Sequence, residues 1–223
     1  MLSNLKPTLN PENKNPLLNT ERLLAFSDGV FAIAITLLIL EIKIPKHEDL
    51  EHYGGLYNYL IHLWPNYLAY VVSFIVIGIY WSNHHWLFTF IHKTNHTFNL
   101  IHILFLMTIC FLPFTTAILG DFILDHETKN AAVTAYCIGL LFPVPTLILM
   151  IFYATRKTGL ISKNLNKSFI NRLFIKLFAG FIMQVIALLF SFEYPLVSIS
   201  IIALAFFLYL LSSESPVYDV EKS

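Results

Sequence analysis

The sequence predicts an all-α, polytopic membrane protein with six transmembrane helices in each subunit. Of its 223 residues, 57% are apolar and only 13% are charged. That charged fraction is about half the roughly 25% that is usual for soluble domains. Several apolar runs reach the length of about 20 residues that a helix needs to cross a bilayer. Polar segments separate these runs, so the chain is expected to cross the membrane repeatedly.

The first predicted span covers residues 23–44, and only Thr36 is polar between Val30 and Leu40. A helix of this length rises about 33 Å, at about 1.5 Å per residue, which is enough to cross a bilayer. The same helix carries Ser27 and Asp28 near its start. An ionised side chain that faces lipid costs about 3 kcal/mol or more. Asp28 is therefore expected to face protein or water and to have a partner.

Five further spans are predicted at residues 60–81, 98–119, 131–153, 173–192 and 196–211. Pro143 and Pro145 predict a kink in the fourth span. Acidic loops are expected at residues 46–56 and 120–130, a histidine-rich segment at 82–97 and a basic segment at 154–172. Residues 1–20 are expected to form a flexible N-terminal tail, and 213–223 a C-terminal tail. Residues 21–212 then form a single six-helix domain.

The distribution of charge predicts that both termini are cytoplasmic. With that orientation the inner segments hold eleven lysines and arginines and the outer segments hold three, as the positive-inside rule requires. Acidic residues lie mostly at the outer ends and would concentrate cations there. The alternative is that acids simply occupy the loops that lysine avoids. The formal net charge is zero, so no nucleic-acid partner is indicated.

Two other classes of function stay open from the residues alone. The cluster from His84 to His102, with His92 and His96 four residues apart, suggests a membrane enzyme or a metal-binding redox protein. The segment contains no cysteine and no carboxylate, however, so structural or interfacial histidines are favoured over proton sensing and over a metal site, and no metal or cofactor is expected. Asp28 suggests a proton-coupled transporter. The sequence contains no G-x-S-x-G, H-E-x-x-H or P-loop motif, and Cys110 and Cys137 are interpreted as packed thiols.

Three aliphatic residues of the first span, Ile33, Leu37 and Leu40, are spaced to share one helix face, with Thr36 beside them. Packing or lipid contact would explain such a stripe by itself. Arg22, Ser27 and Asp28 on the same helix favour a position inside an assembly.

The stretch from Arg22 to Gly29, R-L-L-A-F-S-D-G, followed by V-F-A-I-A-I-T-L-L-I-L, resembles the signature of the transmembrane protein 175 family of potassium channels. The single set of six spans is similar to its prokaryotic branch. The resemblance implies a homotetramer in a bacterial inner membrane, in which four first helices line a central pore. Ile33 would be the narrowest hydrophobic constriction, Leu37 and Leu40 would form further layers, and Thr36 would contribute to selectivity.

The resemblance also implies a structural polar network at the cytoplasmic level, where the second span ends beside the start of the first. Its expected members are Arg22, Phe26, Ser27 and Asp28 of the first helix, with Trp81, Asn83, His84 and His85. Helix capping is the alternative role for Ser27 and Asp28. The function implied is a weakly selective, potassium-permeable cation channel in the lipid bilayer. A hydrophobic constriction would replace the carbonyl filter, since the T-V-G-Y-G sequence is absent.

Overall fold

A computed structural model describes residues 18–156, 159–161 and 165–211. The predicted tails therefore fall almost entirely outside the described residues. The described chain is almost entirely helical, which confirms the all-α prediction. Its elements are β1 (Leu18–Asn19), α1 (Glu21–Leu37), a 3-10 turn (Leu38–Glu41), α2 (His47–Tyr53), α3 (Leu56–His62), α4 (Trp64–Leu87), β2 (Lys93–Thr94), α5 (His96–Cys110), α6 (Leu112–Phe122), α7 (Lys129–Leu141), α8 (Pro143–Arg156), α9 (Lys167–Ser191) and α10 (Pro195–Leu211).

Five helical stretches are long and apolar enough to cross a membrane: Glu21–Glu41, Trp64–Leu87, His96–Phe122, Lys129–Arg156 and Lys167–Ser191. The sixth predicted span corresponds to the shorter apolar helix Pro195–Phe207, so a count of six membrane helices stays a prediction. The third and fourth spans are each divided, at Phe111 and at Phe142, just before proline residues that cannot continue the backbone hydrogen bonds. The fourth span is thus interrupted at the prolines from which the kink is predicted.

The prediction of an acidic loop at residues 46–56 is wrong, because this segment contains the helix α2. Asp49 explains this helix, since its carboxylate accepts a hydrogen bond of 2.8 Å from the backbone N–H of Lys46 at the helix start. The helix ends at Gly54, whose φ of 71° suits a residue without a side chain. The next long helix then begins at Trp64, with Pro65 in its first turn. Proline is tolerated there, because the backbone N–H that it lacks would have no acceptor within the helix.

The helix α4 also continues six residues beyond the predicted end of the second span, to Leu87. His84 and His85 are consequently helical residues on a membrane helix and not part of a polar connection. The first span differs in the opposite sense. Its α-helix ends at Leu37, so Leu40 belongs to the following 3-10 turn.

Two sets of connections define opposite ends of the bundle. At the first, which we call the basic end, β1 pairs antiparallel with β2, and Ile91 forms a β-bridge with Ile161. This end joins the N-terminal segment to the histidine-rich and basic segments. At the other, the acidic end, the carboxylate of Asp121 binds Lys43 and accepts a hydrogen bond of 2.8 Å from the side-chain amide of Asn66.

The core of the bundle lies between these two ends. The helix α1 packs against α4, α5 and α6, while α9 packs against α7 and α10. Large side chains that are almost fully buried, among them Phe31, Phe98, Phe105 and Ile109, fill the space between α1, α4 and α5. One side of α1 is therefore fixed to its own chain.

Candidate functional site

The helix α1 has two different faces. Ser27, Phe31 and Ala34 are buried, and Leu38 continues this face into the 3-10 turn. The ring of Phe31 lies 5.5 Å from the imidazole of His84 and 6.1 Å from the ring of Phe105, measured between centroids. These contacts join α1 to α4 and α5, because His84 and Phe105 belong to those two helices. Sequence spacing of four, three and four residues places all four buried positions on one side.

The rest of the α1 surface is not covered by the chain itself. Ile33 is 59% exposed, Leu37 is 41% exposed and Leu40 is 71% exposed. We call these three residues the apolar stripe. Thr36 lies beside them on this surface, whereas Asp28, which is also exposed, lies nearer the helix start and about 140° around the helix from Ile33. The structure thus brings together the four residues that the sequence assigns to a constriction and to selectivity, on a surface of α1 that its own bundle leaves open.

The hydroxyl of Thr36 is hydrogen-bonded within its own helix. Its Oγ1 lies 2.9 Å from the carbonyl oxygens of Ala32 and of Ile33, and it donates to this pair. A hydroxyl has one proton to donate and two acceptor lone pairs. The oxygen of Thr36 therefore keeps its capacity to accept a hydrogen bond or to contact a cation on the uncovered surface.

Two buried histidines hold the start of α1. The Nε2 atoms of His84 and His102 lie 2.8 Å apart, so one imidazole donates a hydrogen bond to the other and at least one ring is neutral. The Oγ of Ser27 lies 2.9 Å from the same Nε2 of His102 and donates to the carbonyl of Leu23 over 2.7 Å. All three side chains are fully buried. This contact connects α1, α4 and α5 at one level.

Asp28 has a separate partner. The indole Nε1 of Trp81 donates a hydrogen bond of 2.9 Å to its carboxylate, and the imidazole of His85 stacks on the same indole at 5.7 Å. All three residues are exposed in this chain. A carboxylate that already accepts from a fixed donor has a structural role in joining α1 to α4.

The structure differs from the predicted network at three positions. The side-chain amide of Asn83 donates to the carbonyl of Ile79 in its own helix and does not reach α1. Phe26 is 55% exposed and lies outside the buried contact. Arg22 is exposed and makes no hydrogen bond or ion pair with another residue in the described part of the chain. His102 takes part instead. The sequence assigned it only to the histidine cluster of the alternative enzyme or metal-binding function, because residue spacing cannot show that α5 packs beside α1.

The histidine cluster gives no support to a metal centre. Among the described residues, no group of three or more His, Cys, Asp or Glu side chains is placed to hold a metal ion. His92 and His96 are both exposed, with the strand β2 between them, so they do not share the helix face that their spacing suggested. His84 and His102 share a hydrogen bond with each other, so we interpret these two rings as structural contacts between α4 and α5.

Several acidic side chains at the acidic end have local structural partners. Asp121 binds Lys43, and this hydrogen bond raises the pKa of the Lys43 ammonium above its ordinary value. Asp49 caps α2, as described above. Asp125 accepts hydrogen bonds from the backbone N–H of Glu127 and the hydroxyl of Thr128, and the first of these chiefly lowers the pKa of its carboxyl. These contacts favour the simpler explanation of the acidic residues, in which they shape connections, over an attraction of cations.

The fold and the site together define a class of protein: an all-helical, multi-pass membrane protein whose first helix is anchored on one side and uncovered on the other. Comparison with known proteins gives the family. Residues 22–113 match the family described as "Endosomal/lysosomal potassium channel TMEM175". A Chryseobacterium protein named as a potassium channel is 34% identical over 202 residues, which cover 91% of this chain and 96% of that relative. The chain belongs to the TMEM175 family.

A curated protein and a crystal structure from Chamaesiphon minutus extend the comparison. A protein of Chamaesiphon minutus named as a potassium channel is 48% identical over 113 residues, or 51% of this chain and 55% of that protein. The chain thus matches only about half the length of this relative in sequence. The crystal structure of a lysosomal potassium-selective channel TMEM175 homolog from Chamaesiphon minutus superposes with a TM-score of 0.75 at 34% identity, covering 86% of this chain and 96% of that one.

Proposed function

We propose that this chain is one subunit of a homotetrameric, potassium-permeable cation channel with weak selectivity, in which four copies of α1 line a central pore. Relatives named as potassium channels support the class of function. The observation that carries the proposal is the uncovered side of α1. It combines the apolar stripe with the polar Thr36, and α1 exposes the carboxylate of Asp28 as well, nearer the helix start.

Contact with lipid explains the apolar stripe but not the exposed carboxylate of Asp28 on the same helix. A carboxylate facing hydrocarbon costs about 3 kcal/mol or more. Asp28 lies seven residues after the start of α1, about 10 Å along the helix, and it is exposed in the isolated chain. Lipid on this surface would leave that charge poorly solvated, whereas a water-filled path or a neighbouring subunit would not.

The apolar stripe supplies a barrier without a moving lid. Ile33 lies twelve residues after Glu21, about 18 Å along a span of about 30 Å, so four copies around an axis would meet near the middle of the membrane. A narrow ring of branched aliphatic side chains sheds water, and an ion cannot pass until the ring widens and is wetted. Leu37 and Leu40 would form wider layers toward the acidic end.

Selectivity in such a pore is expected to be modest. A hydrophobic ring offers no ligands in exchange for lost hydration, so it favours the cation that is easier to dehydrate, and potassium is more weakly hydrated than sodium. The hydroxyl oxygen of Thr36, one residue before Leu37, is the nearby acceptor that can replace a lost water. No catalytic role and no cofactor enter this proposal.

The orientation that we propose places the basic end in the cytoplasm of a bacterium and the channel in its inner membrane. The pairing of β1 with β2 and the bridge of Ile91 with Ile161 support one shared side for the N-terminal, histidine-rich and basic segments. The excess of lysine and arginine over all the inner segments of the sequence, eleven against three, favours the cytoplasm for this side. Both termini would then be cytoplasmic.

The experiment is potassium efflux from liposomes that contain the purified full-length protein. Wild type should conduct potassium down its gradient and sodium less well. Ile33→Asn places four amides in the constriction, so it should increase the flux and weaken the preference for potassium. Thr36→Val keeps the shape and removes the hydroxyl, so it should lower the preference while the barrier stays. Strict coupling of the flux to protons, or identical behaviour of both variants and wild type, would contradict the proposal.

A further inference from the structure

A groove between α8 and α9 is not explained by any feature of α1. Its volume is about 620 Å³. Its walls are apolar over most of their length, with Ile148 and Leu149 from α8 and Phe174 and Phe178 from α9. Since α1 packs against α4, α5 and α6, this groove is not part of the surface that we assign to ion conduction.

One end of the groove is polar. Arg156 and Asn171 line it there, and Arg156 is the last residue of α8 while Asn171 lies in the first turns of α9. The guanidinium carbon of Arg156 sits 5.0 Å from the centre of the Phe152 ring. Among the described residues that line the groove, Arg156 carries the only formal charge. The groove is thus apolar along its length and positive at its mouth.

The position of the groove fits one leaflet of a bilayer. Arg156 ends the membrane stretch Lys129–Arg156, and Lys167 begins the next, so the mouth lies at the basic surface. From Arg156 to Pro145, the farthest lining residue of α8, the helix extends eleven residues, or about 16 Å at 1.5 Å per residue. The hydrocarbon layer of a bilayer is about 30 Å thick. The apolar walls therefore reach about as deep as the midplane.

The mouth has the features that recognise a phosphate group. An arginine guanidinium offers a planar pair of N–H donors that matches phosphate oxygens. The helix α9 begins at Lys167 beside this mouth, and the start of a helix carries a partial positive charge. Basic residues at a membrane surface attract anionic lipids.

We propose that this groove binds one anionic phospholipid of the leaflet at the basic end. The phosphate is held by the guanidinium of Arg156, and the side-chain amide of Asn171 donates to a phosphate or ester oxygen. One acyl chain lies along Ile148, Leu149, Phe174 and Phe178. The proposal does not depend on whether α1 lines a pore, so each can fail without the other.

The test is a titration of the purified full-length protein with phosphatidylglycerol and with phosphatidylcholine, followed by native mass spectrometry. Phosphatidylglycerol should bind more tightly than phosphatidylcholine. Arg156→Gln should weaken phosphatidylglycerol binding about fivefold, since that is the factor one basic residue contributes near an anionic surface, and it should remove the preference. Arg156 is exposed, so the fold should be unaffected. Lys167→Gln is the matched control, because it removes one charge at the same end outside the groove lining. Its loss of phosphatidylglycerol binding should be smaller than that of Arg156→Gln, and the preference over phosphatidylcholine should remain.

A second pair of variants tests the apolar part of the groove. Leu149→Trp should fill the groove between α8 and α9 and reduce the binding of both lipids, although Arg156 is still present. Leu189→Trp is its control, since Leu189 is exposed on α9 but does not line the groove. Equal affinity for the two lipids in wild type, or equal losses in Arg156→Gln and Lys167→Gln, would overturn the proposal. Cross-linking between subunits through Leu149→Cys would also overturn it, because a second copy would then occupy the groove.

Discussion

Truncating two neighbouring apolar residues of α1 should have opposite consequences, because they lie on different faces. Phe31 is 1% exposed and contacts the rings of His84 and Phe105. Ile33 is 59% exposed in the isolated chain. Phe31→Ala should destabilise the subunit and leave the barrier chemistry in place. Ile33→Ala should leave the subunit stable and increase ion flux, because a smaller ring sheds less water.

The cost of Phe31→Ala follows from the cavity that it creates. The substitution removes on the order of 100 Å³ of side chain, and at about 24 cal/mol per Å³ of residual cavity this amounts to about 2 kcal/mol. The loss of apolar transfer free energy adds little, because lipid tails are about as apolar as the side chain's buried surroundings. Ile33→Ala creates no cavity within the subunit, so its effect on stability should stay within about 0.5 kcal/mol.

Both quantities can be measured on the same preparations. Unfolding of the detergent-solubilised protein by increasing denaturant gives the free energy of unfolding, and potassium efflux from liposomes gives the flux. Phe31→Ala should lower the free energy of unfolding markedly, and Ile33→Ala should increase the potassium flux markedly. If Ile33→Ala lowers the free energy of unfolding as much as Phe31→Ala does, the two faces are not distinct. A flux unchanged by Ile33→Ala would contradict the assignment of Ile33 to a hydrophobic barrier.

Three further predictions concern the supporting contacts. His102→Leu leaves the Nε2 of His84 buried without its partner and should lower the free energy of unfolding by about 1–3 kcal/mol, measured by denaturant titration. Asp125 stabilises its turn as a carboxylate of lowered pKa. The protection factors of the turn amides, which are exchange rates corrected for intrinsic exchange at each pH, should therefore be constant above its ordinary pKa of 3.8 and should fall as pH drops through the lowered value. Asp125→Asn should remove this pH dependence. Gly120→Ala places a Cβ 3.1 Å from the Cα of Asn66, so it should lower the melting temperature by separating α6 from α4.

Each of these three predictions has a control in the same chain. His96→Leu changes an exposed histidine of the same helix and should cost little. Glu127→Gln removes a neighbouring carboxylate without removing the cap of the turn, so its pH dependence should match that of wild type. Gly78→Ala places a Cβ in open space and should be neutral or slightly stabilising. If a variant and its control have equal effects, the contact that the variant removes does not stabilise the protein.

The pattern of apolar runs is sufficient to predict most of the membrane helices, because a bilayer fixes the length and composition of any helix that crosses it. It does not predict the helix α2, whose start depends on the hydrogen bond between the carboxylate of Asp49 and the backbone of Lys46. It also misses the change to a 3-10 turn at Leu38, since the same apolar residues suit either helix type. Local hydrogen bonding therefore decides what the hydrophobic pattern leaves open.

The candidate site divides in the same way. Spacing along one helix is enough to place Ile33, Leu37 and Thr36 on one side of α1, because a helix has a fixed rotation per residue. The partners of that helix are a matter of packing between helices. Spacing alone could not choose His102 over Asn83, and it gave no sign that Asn83 bonds within its own helix. Contacts between distant segments require the three-dimensional arrangement.

The reactivity of single cysteines tests whether ions pass along the uncovered side of α1. The background is the double variant Cys110→Ala and Cys137→Ala, which removes both native thiols. Ile33→Cys and, separately, Phe31→Cys are then reconstituted in liposomes, and potassium efflux is measured while Ag⁺ is added, because this small cation binds thiolates tightly. Ag⁺ should block potassium efflux through Ile33→Cys and should leave efflux through Phe31→Cys and through the background variant unaffected. Unimpeded efflux through Ile33→Cys in the presence of Ag⁺, or equal block at both positions, would contradict it.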